Sequence, residues 1–291
     1  MLGPLQGEAV PLDGGITNRN YRARFGASEV VVRMPGKDTD LLGIDREAER
    51  LANECAARAG VAPEVVAALT DPPCLVTRFV SGRELGPEDL RAPAALAEVA
   101  ASLRAVHDCG ETVGVSFSCF RIVETYAERT ASRCGSVPAE YDVAHAVAAR
   151  IETALTGVIG PPVLCHNDLL PSNFLGSKAG IKLIDWEYTG MGDPYFDLGN
   201  FAVNNGLEAA EEEAFLAAYL GEAPGPHRLA RLRAMRFMSD FREAMWAVFQ
   251  GSLSDLDFDF GAYARTHFDR LAAAAGDPGF EALLEDARAA G

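Results

Sequence analysis

The sequence predicts an α+β protein, with a small antiparallel-sheet part to about residue 80 and a larger, mostly helical part from 81 to 291. Three observations carry that expectation. Residues 8 to 33, EAVPLDGGITNRNYRARFGASEVVVR, alternate apolar and polar positions between glycine-containing turns. From Pro87 onward, long alanine- and leucine-rich stretches follow helix-start signals. The stretch Leu164 to Asn200 interrupts those helical patterns with two short apolar runs and gathers His166, Asp168, Asn173 and Asp185 around them.

In the amino-terminal part, Gly14-Gly15 separates a short run from the alternating Tyr21, Ala23 and Phe25, and Gly26-Ala27-Ser28 turns the chain into Val30-Val31-Val32. Glycine in that first turn lets backbone N–H groups approach an anion closely, with Thr17 and Asn18 adding donors. Arg33 ends the third strand and brings a permanent, two-pronged cation suited to phosphate oxygens. Asp45 to Ala59 reads as a helix, with Asp45 as cap and Leu51, Cys55 and Ala59 on one stripe. Glu49 on that helix is the expected partner of Arg33, with Glu47 as the competitor. Pro87 to His107 reads as one helix with Glu88-Asp89 at its positive end. Residues 116 to 158 give two more helices, broken at Gly135 to Pro138. No chemical constellation marks those two.

The chemistry concentrates in LCHNDLLPSNFLGSKAGIKLIDWEYTGMGDPYFDLGN. Asn173 to Leu175 and Ile181 to Ile184 flank Gly-Ser-Lys-Ala-Gly, a loop with glycine where a hairpin needs positive φ, so two short paired strands are expected. That hairpin brings Asn173 beside Asp185. An amide and a carboxylate side by side suit Mg²⁺, which takes one or two carboxylates plus substrate phosphates. Asp168 is left to hold a hydroxyl proton. This resembles the division of labour in protein-kinase catalytic loops, where an Asp receives the attacking hydroxyl, an Asn five residues on holds metal, and a later Asp bridges the phosphates through metal.

Composition narrows the partners. The chain has 291 residues, and 26 basic against 42 acidic ones give a formal charge of -16, which repels nucleic acid and anionic membrane and attracts cations. Cys55, Cys74, Cys109, Cys119, Cys134 and Cys165 form no C-x-x-C pair, and no charged-then-apolar leader opens the sequence, which fits a reducing cytoplasm. Cys165 sits in an apolar lead-in, which suggests packing, not catalysis. No apolar run approaches the length of a membrane span.

Taken together, HND in place of HRD, Asp-Trp-Glu in place of Asp-Phe-Gly, and the segments GGITNRNY, VVVRMPG, IDREAE and VAPEVV resemble the small-molecule kinases, and among these the choline/ethanolamine kinase family. The resemblance covers nearly the whole chain. It implies a two-lobed, protein-kinase-like fold with ATP and Mg²⁺ between a nucleotide-binding lobe (1–80) and a helical lobe (81–291). Arg33 takes the place of the phosphate-pairing lysine. Leu75 to Val80, with Phe79, becomes the last strand and hinge, whose backbone should bind adenine. His166 locks the catalytic loop and Asp197 braces its backbone. The segment 235–268, with W-x-x-x-Q at Trp246 to Gln250 and Tyr263 beyond it, resembles the end of choline kinases. Glu187, Tyr188, Trp246 and Tyr263 are then the acceptor contacts, the aromatics facing a cation through their π-systems. Glu243 stands where many eukaryotic relatives have a second tryptophan, and a carboxylate there suits an N–H-bearing cation. Choline, ethanolamine and other amino alcohols all stay open as acceptors. An aminoglycoside or other antibiotic phosphotransferase is the rival activity, and an inactive kinase-like binding protein the rival from another class.

Overall fold

Alternating apolar positions and tight glycine turns give the first strands their pairing, and the observed architecture is α+β as expected. The computed structural model describes residues 3–12, 18–36, 39–254 and 256–289. Gly14, Gly15 and Thr17, the expected phosphate-approaching turn, lie outside the described residues. By packing, the chain divides into two compact units, Met1–Ser116 with Val163–Met191, and Phe117–Pro162 with Gly192–Gly291.

In the first unit, β1 (Val10–Leu12), β2 (Asn18–Phe25) and β3 (Ser28–Pro35) form an antiparallel meander, with Tyr21 opposite Val32 and Ala23 opposite Val30. Helix α1 (Arg46–Arg58) follows, then β4 (Val65–Thr70) and β5 (Pro73–Arg78), giving the sheet order β1-β2-β3-β5-β4. One face of the sheet buries Ala23, Val30 and Val76 against Phe25, Val32, Val66 and Ala67. Burial of such side chains stabilises by roughly 1.5–3 kcal/mol each for the larger ones. Asp45 caps α1, accepting from the backbone N–H groups of Glu47 and Ala48 at 2.9 Å. The buried stripe of α1 is Ala48, Ala52, Cys55 and Ala56; Leu51 is half-buried and Ala59 exposed. The expected stripe is therefore rotated by about one residue, because the alanines, not the leucine, fit close against the sheet.

Strand β6 (Gly82–Glu84) leaves the first sheet, and α2 (Pro87–Leu90) and α3 (Pro93–His107) stand where one helix was expected. Pro93 ends the run: it lacks the N–H that would bond back into the preceding turn, and it starts α3 instead. Strands β7 (Val163–Cys165), β8 (Phe174–Ser177), β9 (Gly180–Leu183) and β10 (Gly190–Gly192) complete the unit. The β8–β9 hairpin is present in the expected place, Phe174 opposite Leu183, with Gly180 at φ +92°. It is extended by β6, which pairs antiparallel with β8.

The second unit is helical: α4 (Cys119–Ser132), α5 (Glu140–Leu155), α6 (Pro194–Asn204), α7 (Ala209–Leu220), α8 (Pro226–Leu253), α9 (Phe260–Ala275) and α10 (Phe280–Arg288). Helix α8 is its centre, packed by α4, α6, α9 and α10, and it buries Met235, Met238, Phe241, Met245 and Phe249. Helix α6 crosses it closely enough that a Cβ on Gly199 would lie 2.6 Å from the Met235 carbonyl carbon and 2.7 Å from the Arg236 nitrogen. Backbone cannot give way as a flexible side chain can, and overpacking of this kind costs about 1–3 kcal/mol. Gly199→Ala is therefore expected to lower the thermal midpoint by several degrees, which differential scanning calorimetry would read. No helix of the described residues is long and apolar enough to cross a membrane.

Candidate active site

The centre of the first unit is the loop between β7 and β8. The imidazole of His166 accepts from the Asp168 backbone N–H through Nδ1 (3.2 Å), which places its proton on Nε2, opposite the Ile184 carbonyl at 2.9 Å. Its ring meets Trp186 edge-on, with centroids 4.6 Å apart. The Asn167 amide donates to the Tyr188 carbonyl at 3.0 Å, and the Thr189 hydroxyl to the Cys165 carbonyl at 2.8 Å. Asn167 and Asp185 both adopt left-handed backbone, φ +67° and +66°. For non-glycine residues this conformation costs free energy, which the surrounding bonds offset. His166 thus locks the loop, as expected, and Cys165 is fully buried.

A single 3₁₀ turn, Pro171–Asn173, swings Asn173 back onto the loop, where its amide N–H donates to the Asp168 carbonyl (2.7 Å) and to the carboxylate (3.2 Å). Asn173 is 6% and Asp168 7% exposed, so this contact is nearly dry and fixes the direction of the carboxylate. The Ile184 N–H donates to the Asn173 carbonyl at 3.0 Å, which sets Asp185 next in line after a residue bonded to Asn173.

Around Asp185 lies a buried charge cluster. Arg33, from β3, is ion-paired to Asp185 and stands 3.5 Å from Glu49 and 3.5 Å from Glu187. Arg46, at the start of α1, bridges Glu49 (2.7 Å) and Glu187 (3.3 Å) and donates to Asn18 at 3.2 Å; Asn18 in turn donates to Glu187 at 2.7 Å. Burial alone lowers the proton affinity of the Arg33 guanidinium, but Asp185, Glu49 and Glu187 outweigh it and hold it well above the ordinary arginine value. Among the described residues, two guanidinium groups, Arg33 and Arg46, face three carboxylates, Asp185, Glu49 and Glu187. In the Arg33–Glu49 pair, Arg33 Nε and Glu49 Oε1 face each other without meeting as a hydrogen bond. Hard oxygen donors gathered in this way are of the kind a magnesium ion takes.

The open choice between Glu47 and Glu49 falls to Glu49, which is 2% exposed, while Glu47 pairs with Arg50 on the surface at 2.6 Å.

In the second unit, Trp246 on α8 meets Tyr263 and Phe260 on α9 edge-on, with centroids at 6.0 and 5.9 Å. The Tyr263 hydroxyl donates to Glu243 at 3.0 Å, and the other Glu243 oxygen is ion-paired with Arg242.

The model of the phosphotransferase enzyme family matches residues 8–232. A solved choline/ethanolamine kinase family protein from Mesorhizobium loti is similar at 31% identity, over 97% of this chain and 92% of that one, with a TM-score of 0.84. The chain belongs to the choline/ethanolamine kinase family. Two curated relatives are similar at lower identity. Ethanolamine kinase 2 of Rattus norvegicus is 29% identical over 83% of this chain and 68% of its own length, and protein LicA of Haemophilus influenzae 26% identical over 88% and 76%.

As a choline/ethanolamine kinase family member the protein is a phosphotransferase with an alcohol acceptor and the kinase-like fold. Several residues nevertheless sit differently from the expectation drawn on sequence. The Asn18 side chain donates to Glu187 and accepts from Arg46, so it is built into the charge cluster. Glu187, expected at the acceptor, is 3% exposed and engaged by the same groups. Phe79 donates its N–H to the Glu29 carbonyl (3.0 Å) and carries the Arg22 guanidinium over its ring at 4.0 Å, so that N–H is not the one to bind adenine. Tyr188 is half-buried and belongs to the first unit, whereas Glu243, Trp246 and Tyr263 belong to the second. The sequence reading missed Arg46. Its signal was present in IDREAE, where Arg46 and Glu49 are three apart and share a helix face.

Proposed function

We propose that this kinase transfers the γ-phosphoryl group of ATP to the hydroxyl of a small cationic amino alcohol, choline or ethanolamine. The observation that carries the reading is the fixed carboxylate of Asp168, held by the Asn173 amide and the His166-locked backbone in the same unit as the Arg33–Asp185–Glu49 cluster. Residues 1–80 form the nucleotide-binding lobe in this reading, and 81–291 the catalytic and acceptor-binding lobe.

Asp168 orients the incoming hydroxyl and takes its proton as the phosphorus–oxygen bond forms. Arg33, directed by Glu49, steadies the transferring phosphates, and Arg46 holds Glu49 in turn. Asn173 and Asp185 would hold Mg²⁺, which when bound offsets phosphate charge. Because phosphoryl transfer has a loose transition state, positioning and charge stabilisation are the main work of these groups. The rings of Trp246 and Tyr263 receive the cationic end, each face worth about 0.5–2 kcal/mol. The formal charge of -16 favours a cation over anionic partners. Six free thiols suit the reducing cytoplasm.

The test is ADP release by the purified protein with Mg²⁺–ATP against choline, ethanolamine and a small aminoglycoside panel. Acceptor-dependent release with either amino alcohol is expected. Release only with an aminoglycoside would transfer the assignment to antibiotic phosphorylation, and no release with any acceptor would leave an inactive kinase-like protein.

A further inference from the structure

A carboxylate that meets a substrate cation directly selects for N–H groups, because a primary ammonium donates to it and a quaternary one cannot. Glu243 was expected to do this. Its surroundings assign it another task. It is 2% exposed, one oxygen is ion-paired with Arg242, itself 1% exposed, and the other accepts the Tyr263 hydroxyl at 3.0 Å. A charge so compensated presents a short dipole, not a net negative group, and a substrate ammonium would have to displace a buried guanidinium or a phenol to reach it.

The Tyr263 ring is held on its other sides as well: by His267, with centroids 4.5 Å apart, by Phe258 at 5.8 Å and by Trp246 at 6.0 Å. His267 is fixed in turn by Asp240 at 2.8 Å. The hydroxyl bond to Glu243 is a directional contact that anchors the tip of the ring, while the packed neighbours bear on its faces and edges.

Resting on the acceptor class proposed above, we propose that Glu243 is a positioning residue. It orients Tyr263, and acceptor selection falls to ring faces that attract methylated and unmethylated ammonium groups alike. Cation–π attraction needs no donor on the cation, so the degree of methylation is read weakly.

The test measures kcat and KM for choline and for ethanolamine in the wild type, Glu243→Gln, Glu243→Ala and Tyr263→Phe, together with thermal midpoints. The wild type is measured first; if it phosphorylates neither amino alcohol, the functional reading beneath the proposal fails before any variant is made. Given activity, Glu243→Gln keeps one acceptor oxygen for Tyr263 and is expected to raise KM for both substrates together, about 3- to 10-fold, with the choline-to-ethanolamine ratio of kcat/KM within about twofold of wild type. Glu243→Ala should raise KM further, so that glutamine counts as partial rescue. Tyr263→Phe leaves the Arg242–Glu243 pair intact and should raise both KM values in parallel, more than kcat falls; this variant decides the matter if the Glu243 variants do not fold. A rise in KM confined to ethanolamine in Glu243→Gln, or unchanged KM in Tyr263→Phe, would overturn the proposal.

Discussion

Asp168→Ala is expected to slow turnover on the order of 10²- to 10⁴-fold, the usual contribution of a positioned acid–base group, while nucleotide affinity stays within about twofold of wild type. The separation follows from the geometry. The Asp168 carboxylate is tied to the Asn173 amide, and the ion pairs of Arg33 and Arg46 run to Glu49, Asp185 and Glu187, so those pairs survive its removal. The His166 bond to the Asp168 backbone N–H also survives, since alanine keeps that donor. Steady-state kinetics and a calorimetric titration with a non-hydrolysable ATP analogue check the two halves. Normal turnover in this variant would remove Asp168 from the catalytic role.

Asp185→Ala should abolish the magnesium dependence of nucleotide binding and reduce turnover on the order of 10³-fold, the scale of several kcal/mol supplied by metal-assisted charge stabilisation. Its effect on the fold should be smaller than a buried ion pair suggests. The alanine variant retains two guanidinium groups, Arg33 and Arg46, against two carboxylates, Glu49 and Glu187, so no buried charge is left without a counter-charge. Side-chain exposure of 22% at Asp185 lowers the cost further. A nearly unchanged thermal midpoint with lost metal dependence is the expected pair of results, read by scanning calorimetry and by titration with and without Mg²⁺. Retained metal dependence would show that the ion is held elsewhere.

Local chemistry made much of this legible in the sequence. The β8–β9 hairpin follows from glycine at the turn, and the α1 cap from Asp45. The contact of Asn173 with Asp168 follows from the tightness of the 3₁₀ turn that precedes Phe174. Where pattern alone was used, it slipped: the α1 stripe was placed on Leu51 although small alanines face the sheet, and Pro93 was read through instead of as a break. Contacts between distant segments were out of reach. Nothing in residues 82–84 signals pairing with β8, some ninety positions later. Nor does the sequence show that Arg242 would neutralise Glu243, because neighbours on a helix do not ordinarily face one another. The buried Asn18–Glu187–Arg46 links depend on β2, α1 and the Asp-Trp-Glu segment meeting, which only the folded chain reveals.

The most direct measurement is the identity of the product. Purified protein with Mg²⁺–ATP and either choline or ethanolamine, followed by ³¹P nuclear magnetic resonance, is expected to give a phosphomonoester of the amino alcohol in one-to-one proportion with ADP, and none with Asp168→Ala on the same timescale. Inorganic phosphate in place of the ester, or ester formation undiminished in Asp168→Ala, would contradict the account.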